Sequence, residues 1–216
     1  MIGLIDYGAG NVRSVYKALE TVGADVQLFP NPAGTGRPNE LLAADKIVLP
    51  GVGAFGDCMA GLRRAGLIEG LLQAVEQGRP LLGICVGMQV LFEEGDEMGT
   101  HAGLALLPGR VVRFSWPKEG KKGTLPLKIP HTGWNQVEPI GTSPLFHGLP
   151  HAAWTYFNHA YYCQTREEHV LAVTDYGGPF PSVVGRGSVY GIQFHPEKSQ
   201  ATGLHILRNF VERVGR

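Results

Sequence analysis

The chain has 216 residues, of which 44% are hydrophobic and 18% are charged. This length and composition predict one folded domain over residues 1–216 and argue against a disordered chain. The 19 basic and 19 acidic residues balance to a net charge of zero. That balance argues against a protein that binds nucleic acid or a membrane surface through bulk charge.

In the first half of the chain, short apolar runs typical of buried strands alternate with helical patterns. The predicted strands are 3–5, 25–29, 46–49 and 80–84, and the predicted helices are 12–22, 57–77 and 88–94. Asn11 is placed to cap the first helix and Gly23 to end it. A Pro/Gly-rich loop is expected over residues 31–39.

The second half of the chain is richer in strand patterns. The predicted strands are 110–114, 153–163, 169–174, 182–184 and 188–194, and the tail 201–214 is amphipathic. The last two strands flank Gly185-Arg186-Gly187, which favours a hairpin. We therefore predict an α/β fold, with a mostly parallel central sheet flanked by helices and antiparallel strands added from the C-terminal half.

The cysteines and the N-terminus indicate the compartment. Cys58, Cys85 and Cys163 are odd in number and show no C-x-x-C spacing, which argues against a disulfide framework or a cysteine-rich zinc site. The start of the chain lacks the basic segment of a signal peptide, and no apolar run approaches the roughly 18 residues of a membrane span. We expect a cytoplasmic protein.

The strongest local signal is Gly83-Ile84-Cys85-Val86-Gly87, where a strand runs directly into a helix. Glycines two residues before and after a nucleophile are typical of a nucleophile elbow, because side chains there would clash with the sharp turn. A cysteine at a helix N-terminus is also favoured as thiolate. On this pentapeptide alone, a buried core cysteine is an equally good interpretation.

A nucleophilic cysteine needs a base, and His195 follows an apolar strand with Glu197 two residues further on. A carboxylate can orient the imidazole and stabilise its charged form. A single His-Pro-Glu is usually a solvated loop. However, His195 and Cys85 both follow strands whose C-terminal ends share one edge of a parallel sheet, where ligands bind.

The glycine-rich segments and the histidines leave further alternatives. Gly51-Val52-Gly53 can present backbone N–H groups to an oxyanion. Residues 51–56 also match the dinucleotide pattern G-x-G-x-x-G, but Pro50 intrudes and the next strand ends in Cys85 rather than an acid. His147 and His151 are four apart with Gly148 and Pro150 between them, which argues against a metal site on a helix. No cofactor is expected.

Several segments together resemble the class I (triad) glutamine amidotransferases, and within them the glutaminase subunits of imidazole glycerol phosphate synthases. The resemblance covers nearly the whole chain. The segments that carry it are Asp6-Tyr7-Gly8-Ala9-Gly10-Asn11, Pro50-Gly51-Val52-Gly53, Gly83-Ile84-Cys85-Val86-Gly87-Met88-Gln89, His131-Thr132-Gly133-Trp134-Asn135, Tyr156-Phe157-Asn158-His159-Ala160-Tyr161-Tyr162 and Gln193-Phe194-His195-Pro196-Glu197-Lys198.

The resemblance implies a role for each matching residue. The implied catalytic triad is Cys85, His195 and Glu197, with the N–H groups around Val52 and Val86 as the oxyanion hole. The implied glutamine-binding residues are Gly51, Gly53, Gln89, Glu97, Asn158 and His159. The implied partner interface includes Thr132, Trp134 and Lys198. Ammonia from glutamine would pass to a cyclase subunit with a (β/α)₈-barrel fold, so that the two form a heterodimer in histidine biosynthesis.

Three positions depart from the family pattern, and two alternatives remain. The family usually has Met, Val and Ser where this chain has Thr132, Asn158 and Ala160. In the family, position 132 is associated with the subunit interface and ammonia passage, whereas the segment matching 158–160 contacts glutamine largely through its backbone. The alternatives are a glutaminase that serves anthranilate, pyridoxal phosphate or guanylate synthesis, and a regulatory module of the same fold that has lost its chemistry.

Overall fold

The computed structural model describes residues 1–8, 10–30, 38–115 and 127–215. Two features of the sequence analysis are affected by these bounds. Ala9 of the first glycine segment and residues 31–37 of the Pro/Gly-rich loop lie outside the described residues.

The described residues alternate strands and helices at first and then continue mainly as strands. The strands are β1 Ile2–Ile5, β2 Val26–Phe29, β3 Lys46–Gly51, β4 Leu81–Cys85, β5 Phe92–Gly95, β6 His101–Ala102, β7 Leu107–Arg113, β8 His131–Pro139, β9 Ala153–His159, β10 Tyr161–Gln164, β11 Val170–Asp175, β12 Pro179–Arg186 and β13 Val189–Ile192. The α-helices are α1 Val12–Thr21, α2 Phe55–Arg64, α3 Ile68–Glu76, α4 Val86–Gln89 and α5 Gln200–Arg213.

Most of these strands form one central sheet, in the order β2-β1-β3-β4-β13-β12-β11-β8-β9. The pairings from β2 to β13 are parallel, and those from β13 to β9 are antiparallel. A second sheet has the order β10-β7-β5-β6. The α/β class is confirmed, and the antiparallel strands come from the C-terminal half as predicted. Among the described residues, the central sheet contains four parallel and four antiparallel strand pairings.

The hydrophobic core lies on both faces of the parallel strands. All residues of β1 and β4 are buried, as expected for strands covered by helices on both sides. Helix α1 buries Val15, Ala18 and Leu19, and α5 buries Ile206, Leu207 and Phe210 among others. This packing fixes the carboxyl ends of β3, β4 and β13 side by side.

Several predicted elements are wrong in extent or type. The predicted helix 57–77 is two helices, because Gly66 between them has a φ of +66° and stops α2. The predicted helix 88–94 ends at Gln89, and residues from Phe92 onward join the second sheet. The predicted strand 153–163 is divided between the two sheets at Ala160. Asn11 makes no side-chain capping hydrogen bond.

Within the part of the chain that the structure describes, no helix is long and apolar enough to span a membrane.

Candidate active site

Cys85 lies at a sharp turn at the centre of the sheet, where β4 passes directly into α4. Its φ is +55° and its ψ is −113°, a backbone conformation that residues with a side chain rarely adopt. Such strained positions are held only by the surrounding structure and cluster at functional sites. The conformation is that of a nucleophile elbow, which favours a reactive cysteine over an ordinary core cysteine.

The glycines beside Cys85 are required by close backbone contacts. A Cβ at Gly83 would lie 2.5 Å from the carbonyl oxygen of Gly87, and a Cβ at Gly87 would lie 2.0 Å from that of Leu49. Both distances are far below van der Waals contact. The prediction that side chains at these two positions would clash at the sharp turn is therefore confirmed.

His195 and Glu197 are joined immediately after β13. Nδ1 of His195 lies 3.0 Å from Oε1 of Glu197, and the side chains are 4% and 1% exposed. The His195 N–H donates to the carbonyl of Tyr156 at 2.8 Å, and its carbonyl accepts from the Ser199 hydroxyl at 2.6 Å. These bonds fix the backbone of residue 195, and the contact of Nδ1 with Glu197 orients the ring.

The environment of His195 favours its charged form. Burial alone would lower the pKa of His195, but hydrogen bonds to Cys85 and Glu197, together with their negative charges, raise it to about 10. The second carboxylate oxygen, Oε2 of Glu197, is buried with no hydrogen-bond partner among the described residues. The imidazolium is thus the main stabilising contact of the carboxylate, and it faces the Cys85 sulfur with its other side.

The loop after β3 lies against the same turn. Gly51 is paired with Cys85 across the parallel strands, and a Cβ at Gly51 would be 2.2 Å from the Gly87 nitrogen. The next residue, Val52, is 37% exposed, and Gly53 has a φ of +86°. Val52 and Val86, the two residues predicted for the oxyanion hole, therefore flank Cys85 from two segments.

A cavity of about 170 Å³ opens above the Cys85 sulfur. It is smaller than the roughly 300–1,000 Å³ pockets that hold drug-sized ligands, so it suits a small ligand. Its lining comprises Val52, Gly53, Cys85, Val86, Gln89, Glu97, Asn158, His159, Ala160, Tyr161, His195 and Lys198. Ten of the predicted site residues are in this lining. The other four, Gly51, Glu197, Thr132 and Trp134, are not.

The contacts at the N-terminus of α2 argue against a dinucleotide-binding loop at residues 51–56. The Phe55 N–H, in the first turn of α2, donates to Oε2 of Glu97 at 2.7 Å. A carboxylate thus occupies the position where a dinucleotide-binding helix receives a phosphate. Among the described residues, no group of three or more His, Cys, Asp or Glu side chains could hold a metal ion.

Gln89 is held by hydrogen bonds from its amide nitrogen. Nε2 donates to the Tyr161 carbonyl at 3.0 Å and to Oε1 of Gln193 at 3.2 Å. An amide nitrogen has two hydrogens, and both are used. Only the Oε1 atom of Gln89 remains to interact with a ligand, and it can only accept.

His159 belongs to a buried pair of histidines behind the cavity. Its Nδ1 lies 2.8 Å from the Tyr161 carbonyl, and its Nε2 lies 3.1 Å from Nδ1 of His131. Because the carbonyl can only accept, His159 is protonated on Nδ1, and His131 must donate to its Nε2. Burial lowers the pKa of His131 to about 4 and that of His159 to about 3. Both rings are therefore neutral near pH 7.

Two of the three departures from the family pattern contact each other. Thr132 and Asn158 are direct partners across β8 and β9, and the Thr132 hydroxyl donates to Oδ1 of Asn158 at 3.1 Å. Asn158 lines the cavity and Thr132 does not. The two polar residues are thus joined by a hydrogen bond across the hairpin.

An exposed aromatic face lies outside the cavity, on the β8–β9 hairpin. Trp134 and Trp154 are 44% and 52% exposed, and Trp134 is paired with Tyr156 in the strand register. The Lys198 ammonium lies 5.6 Å from the centre of the Tyr156 ring. Large exposed aromatic side chains close to a basic one are typical of a protein interface.

The sequence analysis assigned no role to three residues of the site. Tyr161 lines the cavity, Gln193 contacts Cys85, and Ser199 accepts a hydrogen bond from the Tyr156 N–H at 2.9 Å. Gln193 could have been found, because residues 193 and 195 share one side of an extended strand. The other two depend on contacts between distant segments that no local pattern reveals.

The chain matches a known protein family over nearly its whole length. The family model for glutamine amidotransferase class-I matches residues 3–214. The chain is 50% identical over 211 residues to "Imidazole glycerol phosphate synthase subunit HisH" of Desulfitobacterium hafniense (strain DSM 10664 / DCB-2). The matched residues cover 97% of this chain and 93% of that protein. It is 49% identical to the protein of the same name from Syntrophotalea carbinolica, over 97% and 98% of the two chains.

Solved structures with the same fold are more distant in sequence. A crystal structure titled "glutamine amidotransferase" aligns with a TM-score of 0.72 at 23% identity, over 100% of this chain and 99% of that one. The structure of PurLQS from Thermotoga maritima aligns with a TM-score of 0.70 at 18% identity, over 97% and 96%. At these identities the likeness establishes the fold alone.

Proposed function

Because the chain belongs to the class I glutamine amidotransferases, we propose that it is the glutamine-hydrolysing subunit of an imidazole glycerol phosphate synthase. The observation that carries the proposal is the contact between the buried His195–Glu197 pair and a cysteine at a strained turn. The relatives named as HisH subunits favour this synthase over anthranilate, pyridoxal phosphate or guanylate synthases. The intact site argues against a module without chemistry.

In the first half-reaction, the Cys85 sulfur attacks the carboxamide carbon of glutamine. The carbonyl oxygen becomes an oxyanion, which the N–H groups of Val52 and Val86 stabilise. The His195 imidazolium donates its proton to the departing nitrogen, the C–N bond breaks, and ammonia leaves a glutamyl thioester on Cys85. The raised pKa of His195 provides the proton for this step.

In the second half-reaction, the neutral imidazole takes a proton from water as the water oxygen attacks the thioester. The C–S bond then breaks, glutamate leaves, and the proton on His195 again faces the sulfur. Glu197 accepts the hydrogen bond from Nδ1 of His195 in both half-reactions and stabilises the charged ring. No step requires a metal or a nucleotide.

Glutamine binding rests on the side chains around the cavity. Oε1 of Gln89 is an acceptor, and Glu97 is a carboxylate held at the first turn of α2. Both suit the α-ammonium group of an amino acid. Asn158 and His159, with Gly51 and Gly53, are the remaining proposed contacts, and the small cavity suits glutamine itself.

The relatives are named as subunits, so the protein works with a partner subunit. We propose that the partner is a cyclase with a (β/α)₈-barrel fold that consumes the ammonia. The exposed hairpin face, with Trp134 and Lys198 beside the cavity, is the proposed docking surface, with Thr132 on the same hairpin. Docking there would cover the mouth of the cavity and limit the escape of ammonia.

Reconstitution with alternative partners tests the proposal. Glutamine hydrolysis is measured for the chain alone and with purified cyclase, anthranilate and guanylate synthase subunits. We expect stimulation by the cyclase alone, by about 10²–10³-fold if docking turns the 51–53 peptides so that the Val52 N–H faces the oxyanion. Full activity without any partner, or stimulation by a different synthase, would contradict the proposal.

A further inference from the structure

Gln193 is a fully buried polar residue that the proposed chemistry does not use. It follows β13, two residues before His195, and is 0% exposed. Its Nε2 lies 3.7 Å from the Cys85 sulfur, which is hydrogen-bond distance for a sulfur acceptor. A buried amide is costly unless its hydrogen bonds are satisfied, so this contact has an energetic reason to exist.

The neighbours of Gln193 fix which end of its amide faces the sulfur. The Tyr161 carbonyl can only accept, so Gln89 must point its nitrogen at that carbonyl. The same Gln89 nitrogen lies 3.2 Å from Gln193, so the atom that Gln193 presents there must be its oxygen. If the Gln193 amide were flipped, its NH₂ group would face the NH₂ group of Gln89, and its carbonyl oxygen would face the Cys85 sulfur. Nε2 is therefore the atom that faces Cys85.

The Tyr161 carbonyl, at which this series of hydrogen bonds begins, is held in place. The Tyr161 carbonyl also accepts from Nδ1 of His159 at 2.8 Å, so both of its lone pairs are occupied. Its residue begins β10, which pairs with β7. The directions in which Gln89 and Gln193 donate are thus set by a carbonyl whose backbone is held in a sheet.

From this geometry we propose that Gln193 is a catalytic residue, which donates a hydrogen bond to the Cys85 thiolate in addition to the donor His195. The proposal deepens the glutaminase function and rests on it. Hydrogen bonds to an ionised acceptor are stronger than neutral ones, so the donor favours thiolate over thiol. It also acts when negative charge returns to the sulfur as the C–S bond of the thioester breaks. Together with His195, Gln193 gives the sulfur two donors where it lines the cavity.

The test compares the pH dependence of Cys85 alkylation by iodoacetamide in the full-length chain. Rates are followed by mass spectrometry in the wild type, Gln193→Met and Gln193→Glu, with the exposed Gln27→Met as the matched control. The titratable groups His195, Tyr7 and Cys58 interact with Cys85, and Glu97, His159 and Lys198 line the same cavity. All six are unchanged in these variants. Burial raises the pKa of Cys58 to about 12, so its thiol adds no background.

We expect the midpoint of the alkylation profile to rise by about one to two pH units in Gln193→Met, because a charged hydrogen bond is lost. It should rise further in Gln193→Glu, where a carboxylate replaces the donor, and stay unchanged in Gln27→Met. With the partner subunit at pH 7, kcat for Gln193→Met should fall about tenfold or more, with little change in KM.

Two outcomes are distinguishable. If the wild-type complex hydrolyses glutamine and folded Gln193→Met and Gln193→Glu keep the wild-type alkylation midpoint, the role of Gln193 is wrong and the glutaminase function stands. If the wild-type complex does not hydrolyse glutamine, the function itself fails. Circular dichroism and continued protection of Cys58 and Cys163, both fully buried, establish that each variant is folded. If Gln193→Met does not fold, the isosteric Gln193→Glu alone decides the question.

Discussion

Acid should destabilise this protein through its two buried neutral histidines. His131 and His159 are 3% and 6% exposed and bond to each other at 3.1 Å. Burial lowers their pKa values to about 4 and about 3, whereas both titrate near 6.5 in the unfolded chain. Between pH 6.5 and pH 4 the unfolded state therefore binds more protons than the folded state. Their contribution to stability is complete above pH 6.5 and is lost as the pH falls towards 4.

The size of the effect follows from those pKa values. At pH 5 each histidine lies 1.5 pH units below its unfolded pKa, so each costs the folded state about 2 kcal/mol. His195 acts in the opposite sense, because its pKa is raised to about 10. Its contribution is complete below pH 6.5 and is lost as the pH rises through 10. Between pH 6.5 and pH 4, His131 and His159 thus lower the stability as the pH falls, whereas His195 does not.

Urea denaturation of wild type and His131→Gln at pH 5, 6, 7 and 8 measures the effect. Glutamine can still donate to Nε2 of His159 but does not titrate. We expect the loss of unfolding free energy between pH 7 and pH 5 to be about 2 kcal/mol smaller in His131→Gln than in the wild type. His151→Gln, at an exposed position, should keep the wild-type loss. An equal loss in His131→Gln and wild type would refute the reasoning.

Three further predictions concern the catalytic groups. Cys85→Ser should abolish glutamine hydrolysis while the partner still uses free ammonia, because a hydroxyl is far less acidic than a thiol; substantial hydrolysis by the variant would remove Cys85 from its role. His195→Ala should lose about 10²–10⁴-fold or more in kcat, and Glu197→Ala distinctly less, because only the imidazole transfers protons; near-wild-type rates for both would place the pair outside the site. Treatment with a strong chelator should leave hydrolysis intact, and activity that vanished and returned with zinc would show that the histidines had been misjudged.

The sequence predicts well which residues the fold brings together at the proposed catalytic site, for physical reasons. Cys85 is marked by glycines that backbone contacts of 2.0–2.5 Å require, and His195 is marked by its place after a buried strand. Parallel strands bring such positions to one sheet edge without any further information. Local pattern is therefore sufficient where the chemistry lies at strand ends.

Other features depend on contacts between distant segments. Residues 88–94 were predicted as one helix because a short buried apolar run looks alike in helix and strand; pairing of Phe92 with Leu107 decides the outcome. The His131–His159 contact follows from the register of β8 and β9, and β8 itself was not predicted. Gln193 is a buried polar residue in an apolar strand, and its role emerges only from the position of Gln89.

We propose that ammonia released at Cys85 reaches the partner subunit without mixing with solvent. The most direct measurement supplies the complex with glutamine labelled with ¹⁵N in the amide, together with excess unlabelled ammonium, and determines the ¹⁵N content of the imidazole product. We expect the product to carry mainly the glutamine label. A product whose isotopic content follows the ammonium in solution would contradict this proposal.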